Sequence, residues 1–251
     1  MKKNSYLSTT SIWLSFILIF LLLHFGYQVV NLSGSVKVLI TDPVLLALLW
    51  FLNRQHWQLK INYDLKIRLA EALRVNSLPL ILGAFFILAI IAAAKFSVSK
   101  LIYTFILALV VAIFEEFFFR GILLNNFIAG GHRKYADYFK AILFVSFLFG
   151  MTHLVNLVEQ TLVATLLQML NAFVLGILLA ALYLRTGRLS WPIFYHFILD
   201  FTGILFNGIV TQTPTTASLP ASLGMMLLYL LTGLFLLRKK YFWQWQRKDS
   251  Y

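Results

Sequence analysis

Apolar residues fall into eight continuous runs, at residues 12–30, 36–52, 78–94, 101–124, 138–155, 161–184, 191–208 and 221–237. A helix needs about 20 apolar residues to cross a bilayer, and each run has that length or nearly so. The runs are continuous, whereas the strands of a membrane β-barrel alternate apolar and polar positions, so a barrel is excluded. The pattern predicts an all-α protein, a polytopic integral membrane bundle of about eight transmembrane helices. It predicts a single membrane domain over residues 1–251, with no internal repeat. The second run is the weakest, because Asp42-Pro43 interrupts it and proline removes a helical N–H. It reads as a full span, a re-entrant segment or a helix starting after Pro43.

Composition sharpens this picture. Hydrophobic residues make up 61% of the chain and charged residues 12%, against about 45–50% and about 25% in soluble domains. Disorder, a coiled coil and an ordinary soluble globule are excluded. Cysteine is absent, which removes disulfides, thiolate metal sites and a cysteine nucleophile.

The balance is basic, with 21 Lys and Arg against 9 Asp and Glu. The charge sits in short blocks between apolar runs and accompanies no recognition motif, so no nucleic-acid partner is expected. If both ends are cytoplasmic, the inside segments collect nearly all of it, including Arg54, Lys60, Lys66, Arg68 and Arg74 in one segment. The outside segments hold Lys37, Lys95 and Lys100. This asymmetry predicts cytoplasmic termini by the positive-inside rule, and blocks of this kind meet the anionic leaflet of a lipid bilayer. Lys2-Lys3 before an apolar stretch resembles a signal peptide, but the run is span-length and reads as the first span. Residues 53–77 mix Trp57, Leu59, Ile61 and Leu65 with basic residues and read either as an amphipathic helix on the cytoplasmic face or as a solvated loop. Tyr241, Phe242, Trp243 and Trp245 read as an interfacial aromatic anchor. A short, compact, basic chain of this kind points to a bacterial plasma membrane.

Six ionisable residues inside the runs stand out as candidates: Glu115, Glu116, Arg120, His153, His196 and Asp200. Each charged group there costs a few kcal/mol even on the lenient insertion scale, so each is a functional candidate that needs a partner. Glu116 and Arg120 are four apart and can pair on one helix face. Glu115 is one position earlier and points about 100° away, available for something else. Phe149 and His153 share a face, with the amide of Asn156 three residues on, and His196 and Asp200 are again four apart. The bland alternative is interhelical glue, for which Ser, Thr, Asn and Gln normally suffice. His24, without an acidic neighbour in sequence, reads as a packing histidine.

A carboxylate and a histidine can hold and deprotonate a water, and a second histidine can stabilise an oxyanion. The set suffices for peptide-bond hydrolysis without Ser or Cys. Glu115, His153 and His196 could equally hold a divalent metal such as Zn²⁺ with one position open for water. No HExxH motif is present. Buried Glu, His and Asp also make proton relays, so a proton-coupled transporter is the alternative function. A non-catalytic membrane protein that binds a partner is the third reading.

Three segments carry a resemblance: Glu115-Glu116-Phe117-Phe118-Phe119-Arg120, Phe149-Gly150-Met151-Thr152-His153 and His196-Phe197-Ile198-Leu199-Asp200. They resemble the motifs EExxxR, FxxxH and HxxxN/D of the CPBP family. That family comprises CAAX prenyl endopeptidases and the bacteriocin-processing or self-immunity proteins called Abi. The resemblance covers residues 101–208, taken as the catalytic core, with the motifs in family order on separate runs. It implies an intramembrane endopeptidase, of metallo- or glutamate type, acting on a membrane-associated peptide or protein. By carry-over, Glu115 and His153 activate the attacking water, while His196 and Asp200 stabilise the oxyanion. Glu116 and Arg120 then form a structural pair, and Asn156 supports the site. Asp200 departs from the Asn of the prenyl endopeptidases. An ionised Asp cannot donate a hydrogen bond, so Asp200 is a protonated donor, an orienting partner of His196 or a metal ligand.

Overall fold

The computed structural model describes residues 5–30, 34–63, 69–92, 96–129, 134–208 and 219–242. The described residues are 91% helical, without a strand. Its helices are α1 (Ser5–Val30), α2 (Gly34–Leu52), α3 (Leu69–Ala92), α4 (Val98–Glu116), α5 (Asn125–Ile128), α6 (Tyr135–Thr152), α7 (Leu162–Thr186), α8 (Ser190–Asn207) and α9 (Leu219–Leu236). Among the described residues, six stretches are long and apolar enough to cross a membrane: Tyr6–Leu23, Gly34–Trp57, Val98–Ile128, Tyr135–Val158, Leu162–Thr186 and Leu219–Leu236. Among the described residues each of the eight apolar runs is helical over most of its length; α3 supplies a shorter apolar stretch, Pro79–Leu88, and α8 carries His196 and Asp200.

Pro43 lies inside α2, which runs unbroken past Asp42. Residues 53–77 do not form the single amphipathic helix expected of them. The turn Asn53–Trp57 widens into a π-helix and ends at Gln58, which is left-handed at φ 51°. The reason is local: Asn53 Nδ2 donates to the Leu59 carbonyl at 3.1 Å, and the Leu59 N–H donates to Asn53 Oδ1 at 3.0 Å. One side chain thus satisfies the backbone that leaves the helix. Residues 64–68, Lys2, Lys3, Trp243 and Trp245 lie outside the described residues, as does the side chain of His24.

The chain divides into two compact units. The first comprises Met1–Ile61, Pro79–Phe127 and Ile193–Ile209. Its centre is aromatic: Phe16 of α1 lies 5.6 Å from Phe114 and 4.2 Å from Phe118, between ring centroids. Asn126 Nδ2 donates to Ser8 Oγ and Thr9 Oγ1 of α1, at 3.2 and 3.0 Å. On the other side of α4, Phe105 meets Phe197 of α8 edge-on at 5.0 Å.

The second unit comprises Asn62–Leu78, Ile128–Pro192 and Val210–Tyr251. Small residues let its helices approach closely. A Cβ on Gly150 of α6 would stand 2.7 Å from the Met169 carbonyl oxygen of α7, and one on Gly176 of α7 would stand 2.9 Å from Ser146 Cβ. Gly187, at φ 75°, closes α7, a left-handed cap that glycine adopts without steric cost. Tyr135 of α6 donates to the Leu237 carbonyl at 2.9 Å and so fastens the end of α9.

Candidate active site

The first unit brings five of the candidate residues together. α4 ends at Glu116, and the chain continues as a π-helical stretch, Phe117–Leu124, before α5. Every residue of that stretch is buried. Such wide turns inside α-helices are rare and frequent at functional sites. Arg120 lies within it, and its Nη1 donates to Glu116 Oε1 at 2.6 Å. Glu116 is 0% exposed and Arg120 1% exposed.

Glu116 does more than hold Arg120. The same oxygen, Oε1, lies 2.9 Å from Nδ1 of His196 on α8. A carboxylate only accepts, so Nδ1 carries the hydrogen and donates. That fixes the ring with Nε2 on the far side. Nε2 stands 3.4 Å from Asp200 Oδ2 and 3.6 Å from Glu115 Oε2. Both separations exceed the usual range of about 2.7–3.2 Å for an N–H···O bond. Glu115 and Asp200 retain 20% and 27% side-chain exposure, against 4% for His196. The cluster thus has a buried floor, Arg120–Glu116–His196, and an accessible edge formed by Glu115, His196 Nε2 and Asp200.

His153 and Asn156 belong to the second unit. His153 caps α6 and opens a 3₁₀ turn, His153–Val158. Its Nδ1 lies 3.0 Å from the Phe149 carbonyl. A carbonyl only accepts, so Nδ1 carries the hydrogen and Nε2 of a neutral ring is the acceptor. Asn156 Nδ2 donates to Gln168 Oε1 of α7 at 2.9 Å.

Two links are not readable from local spacing. Glu116 and His196 are 80 residues apart, and no helical periodicity connects them. Gln168 was not among the candidates; its sequence signal is that it and Asn171 are the two amides in the apolar run of residues 161–184.

In chemical terms, the accessible edge offers a carboxyl that can take a proton from water and an imidazole nitrogen that can face a developing negative charge. Among the described residues, no group of three or more His, Cys, Asp or Glu side chains is arranged to hold a metal ion. Glu116 engages the other nitrogen of His196.

Comparison with curated proteins and with solved structures finds no match. Residues 97–202, which contain all three motifs, match the family model described as Type II CAAX prenyl endopeptidase Rce1-like, and with this match the chain is consistent with a CPBP family intramembrane protease.

Proposed function

We propose that the protein hydrolyses a peptide bond in a membrane-associated peptide or protein, through a water activated by Glu115. The observation that supports this most directly is the division of labour within the cluster. Glu116 is fully buried and engaged by the Arg120 guanidinium and by Nδ1 of His196, whereas the adjacent Glu115 stays accessible beside His196 Nε2.

In the first step Glu115 takes a proton from water as the oxygen attacks the carbonyl carbon of the substrate. Negative charge then forms on the carbonyl oxygen. A protonated His196, its Nδ1–H anchored on Glu116, presents Nε2–H to that oxygen. Asp200 lies on the same side of the ring and donates to the oxyanion in its protonated form. Collapse of the intermediate breaks the C–N bond, and the proton held by Glu115 passes to the leaving amine. His153 joins the water activation by the three-motif resemblance; its Nε2 is the acceptor on that ring. Arg120 and Glu116 hold His196 in position.

The substrate is a prenylated CAAX-type protein or a bacterial leader or bacteriocin peptide, and the host membrane is a bacterial plasma membrane. The experiment is cleavage of membrane-anchored peptides of both kinds by the purified protein in lipid discs, with and without a chelator. Cleavage that survives chelation and disappears in Glu115→Gln upholds the reading. Cleavage abolished by chelation and restored by Zn²⁺ overturns the metal-free step. Proton flux in liposomes without any cleavage overturns the protease reading in favour of transport.

A further inference from the structure

The end of α9 gathers cations around one tyrosine, and none of them takes part in the chemistry above. After Leu236 the chain continues as Leu237-Arg238-Lys239-Lys240-Tyr241-Phe242, with a 3₁₀ turn over Lys239–Tyr241. The Arg185 guanidinium of α7 stacks on the Tyr241 ring, 3.5 Å from its centroid. Arg238 stands 5.5 Å from the same centroid and Lys240 4.9 Å from it. Three positive groups thus converge on one ring, all within the second unit.

This cradle is built and held. Arg185 Nη1 donates to the Leu236 carbonyl at 3.2 Å, and Tyr135 donates to that of Leu237. Arg238 Nε donates to the Phe235 carbonyl at 2.9 Å, and its guanidinium lies flat on the Phe235 ring at 3.5 Å. Its Nη2 reaches the Tyr241 hydroxyl at 3.4 Å. Phe242 is wedged edge-on against Tyr135 and Tyr138. A stacked guanidinium can still donate from the N–H groups that these bonds leave open, and a guanidinium matches the geometry of a phosphate group. Like charges held this close repel, and an anion between them relieves the repulsion. Burial acts first on the Arg185 charge, followed by Tyr241, Glu71 and the repulsion of Arg238. Buried Arg185 Nε has no hydrogen-bond partner among the described residues.

Position selects the anion. The cluster follows directly on an apolar stretch long enough to cross a membrane, Leu219–Leu236, which sets it at the depth of lipid headgroups. We propose that Arg238 and Lys240, backed by Arg185 and Tyr241, bind a phosphate group at the membrane interface, presented by an anionic phospholipid or by free phosphate. This does not depend on the protease reading.

The test is thermal unfolding of the full chain in vesicles of phosphatidylcholine alone, in vesicles of equal parts phosphatidylcholine and phosphatidylglycerol, and in phosphatidylcholine with inorganic phosphate. Each is run on the parent, on the R238Q/K240Q double variant, on Lys240→Gln alone, and on Lys100→Gln as a control away from the cluster. Lys240 is exposed, so its single variant folds even if the double variant does not. The parent should gain about 2–4 °C from phosphatidylglycerol; the cluster variants should lose most of that gain and Lys100→Gln should keep it. Gain from phosphatidylglycerol alone assigns a lipid headgroup. Gain from inorganic phosphate as well, lost in the same variants, assigns the free anion, and both uphold the site. No gain in either arm, or an equal gain in Lys240→Gln and the parent, overturns it.

Discussion

Glu115 and Glu116 are neighbours in sequence and opposites in surroundings, and substitution should separate them. Glu116→Ala leaves Arg120 and His196, both buried, without their shared acceptor. Breaking a buried pair in this way costs about 3–5 kcal/mol. Glu115 is partly exposed and lies 3.6 Å from its nearest basic partner, so Glu115→Gln should unfold close to the parent temperature while turnover falls by about 10²–10⁴-fold. Thermal unfolding and peptide cleavage measured on both variants decide this; equal melting would show that the two carboxyls share one role. Asp200 allows a subtler comparison. Asn keeps its shape and donates as a protonated carboxyl does, so Asp200→Asn should stay within about tenfold of parent turnover, while Asp200→Leu should lose it. Loss in Asp200→Asn together with loss of a stoichiometric metal would make Asp200 a ligand instead. Arg120 and Glu116 were legible as a pair because four residues is one helical turn. The second bond of Glu116 was not, because tertiary packing brings α8 to it.

At the scale of elements, the existence and type of the helices followed from uninterrupted apolar runs, since a bilayer leaves a backbone little else to form. What the runs could not tell was where the ladder changes pitch. The π-helical stretch Phe117–Leu124 is as apolar as the helix before it, apart from Arg120. Residues 53–77 looked amphipathic, and the two hydrogen bonds of Asn53 with Leu59 end the helix near the start of that segment. The pairing of α6 with α7 offers a measurable consequence. Gly150 and Gly176 each sit where a methyl group would meet the other helix, at 2.7 Å from Met169 O and 2.9 Å from Ser146 Cβ. Gly150→Ala and Gly176→Ala should each destabilise by about 1–3 kcal/mol, the usual cost of overpacking. Gly224→Ala on α9, with nothing within 4 Å of the added carbon, should be neutral or slightly stabilising, because alanine favours a helix. Denaturation of the three variants in one detergent ranks them; a tolerated Gly150→Ala would mean that the two helices slide apart at little cost.

For the whole molecule, the charge pattern makes a statement about orientation. Arg54 and Arg74, Lys140, Arg185 and Arg188, and Arg238 to Lys240 all fall in segments that an eight-span thread puts on the same side. The positive-inside rule makes the cytoplasm the expected side. A reporter joined after Tyr251 should therefore be active only inside the cell, and one placed near Lys95 only outside. An external signal at Tyr251 would remove one span from the thread, with the Asp42-Pro43 helix the first to reconsider.

The shared oxygen of Glu116 also bears on how such a chain can vary over time. One carboxylate serves Arg120 and His196, so the three positions are coupled: loss of Glu116 strands the Arg120 charge from the acceptor it shares with His196, and loss of Arg120 strands the Glu116 carboxylate from its guanidinium. Losing all three together strands none, and apolar side chains of similar volume in place of a buried ionic triad are often neutral or stabilising. The triple variant Glu116→Leu, Arg120→Met, His196→Leu should melt above Glu116→Ala and show no cleavage. Descendants that give up the reaction should therefore shed the triad as a block and keep the bundle, whereas descendants that keep the reaction inherit it whole.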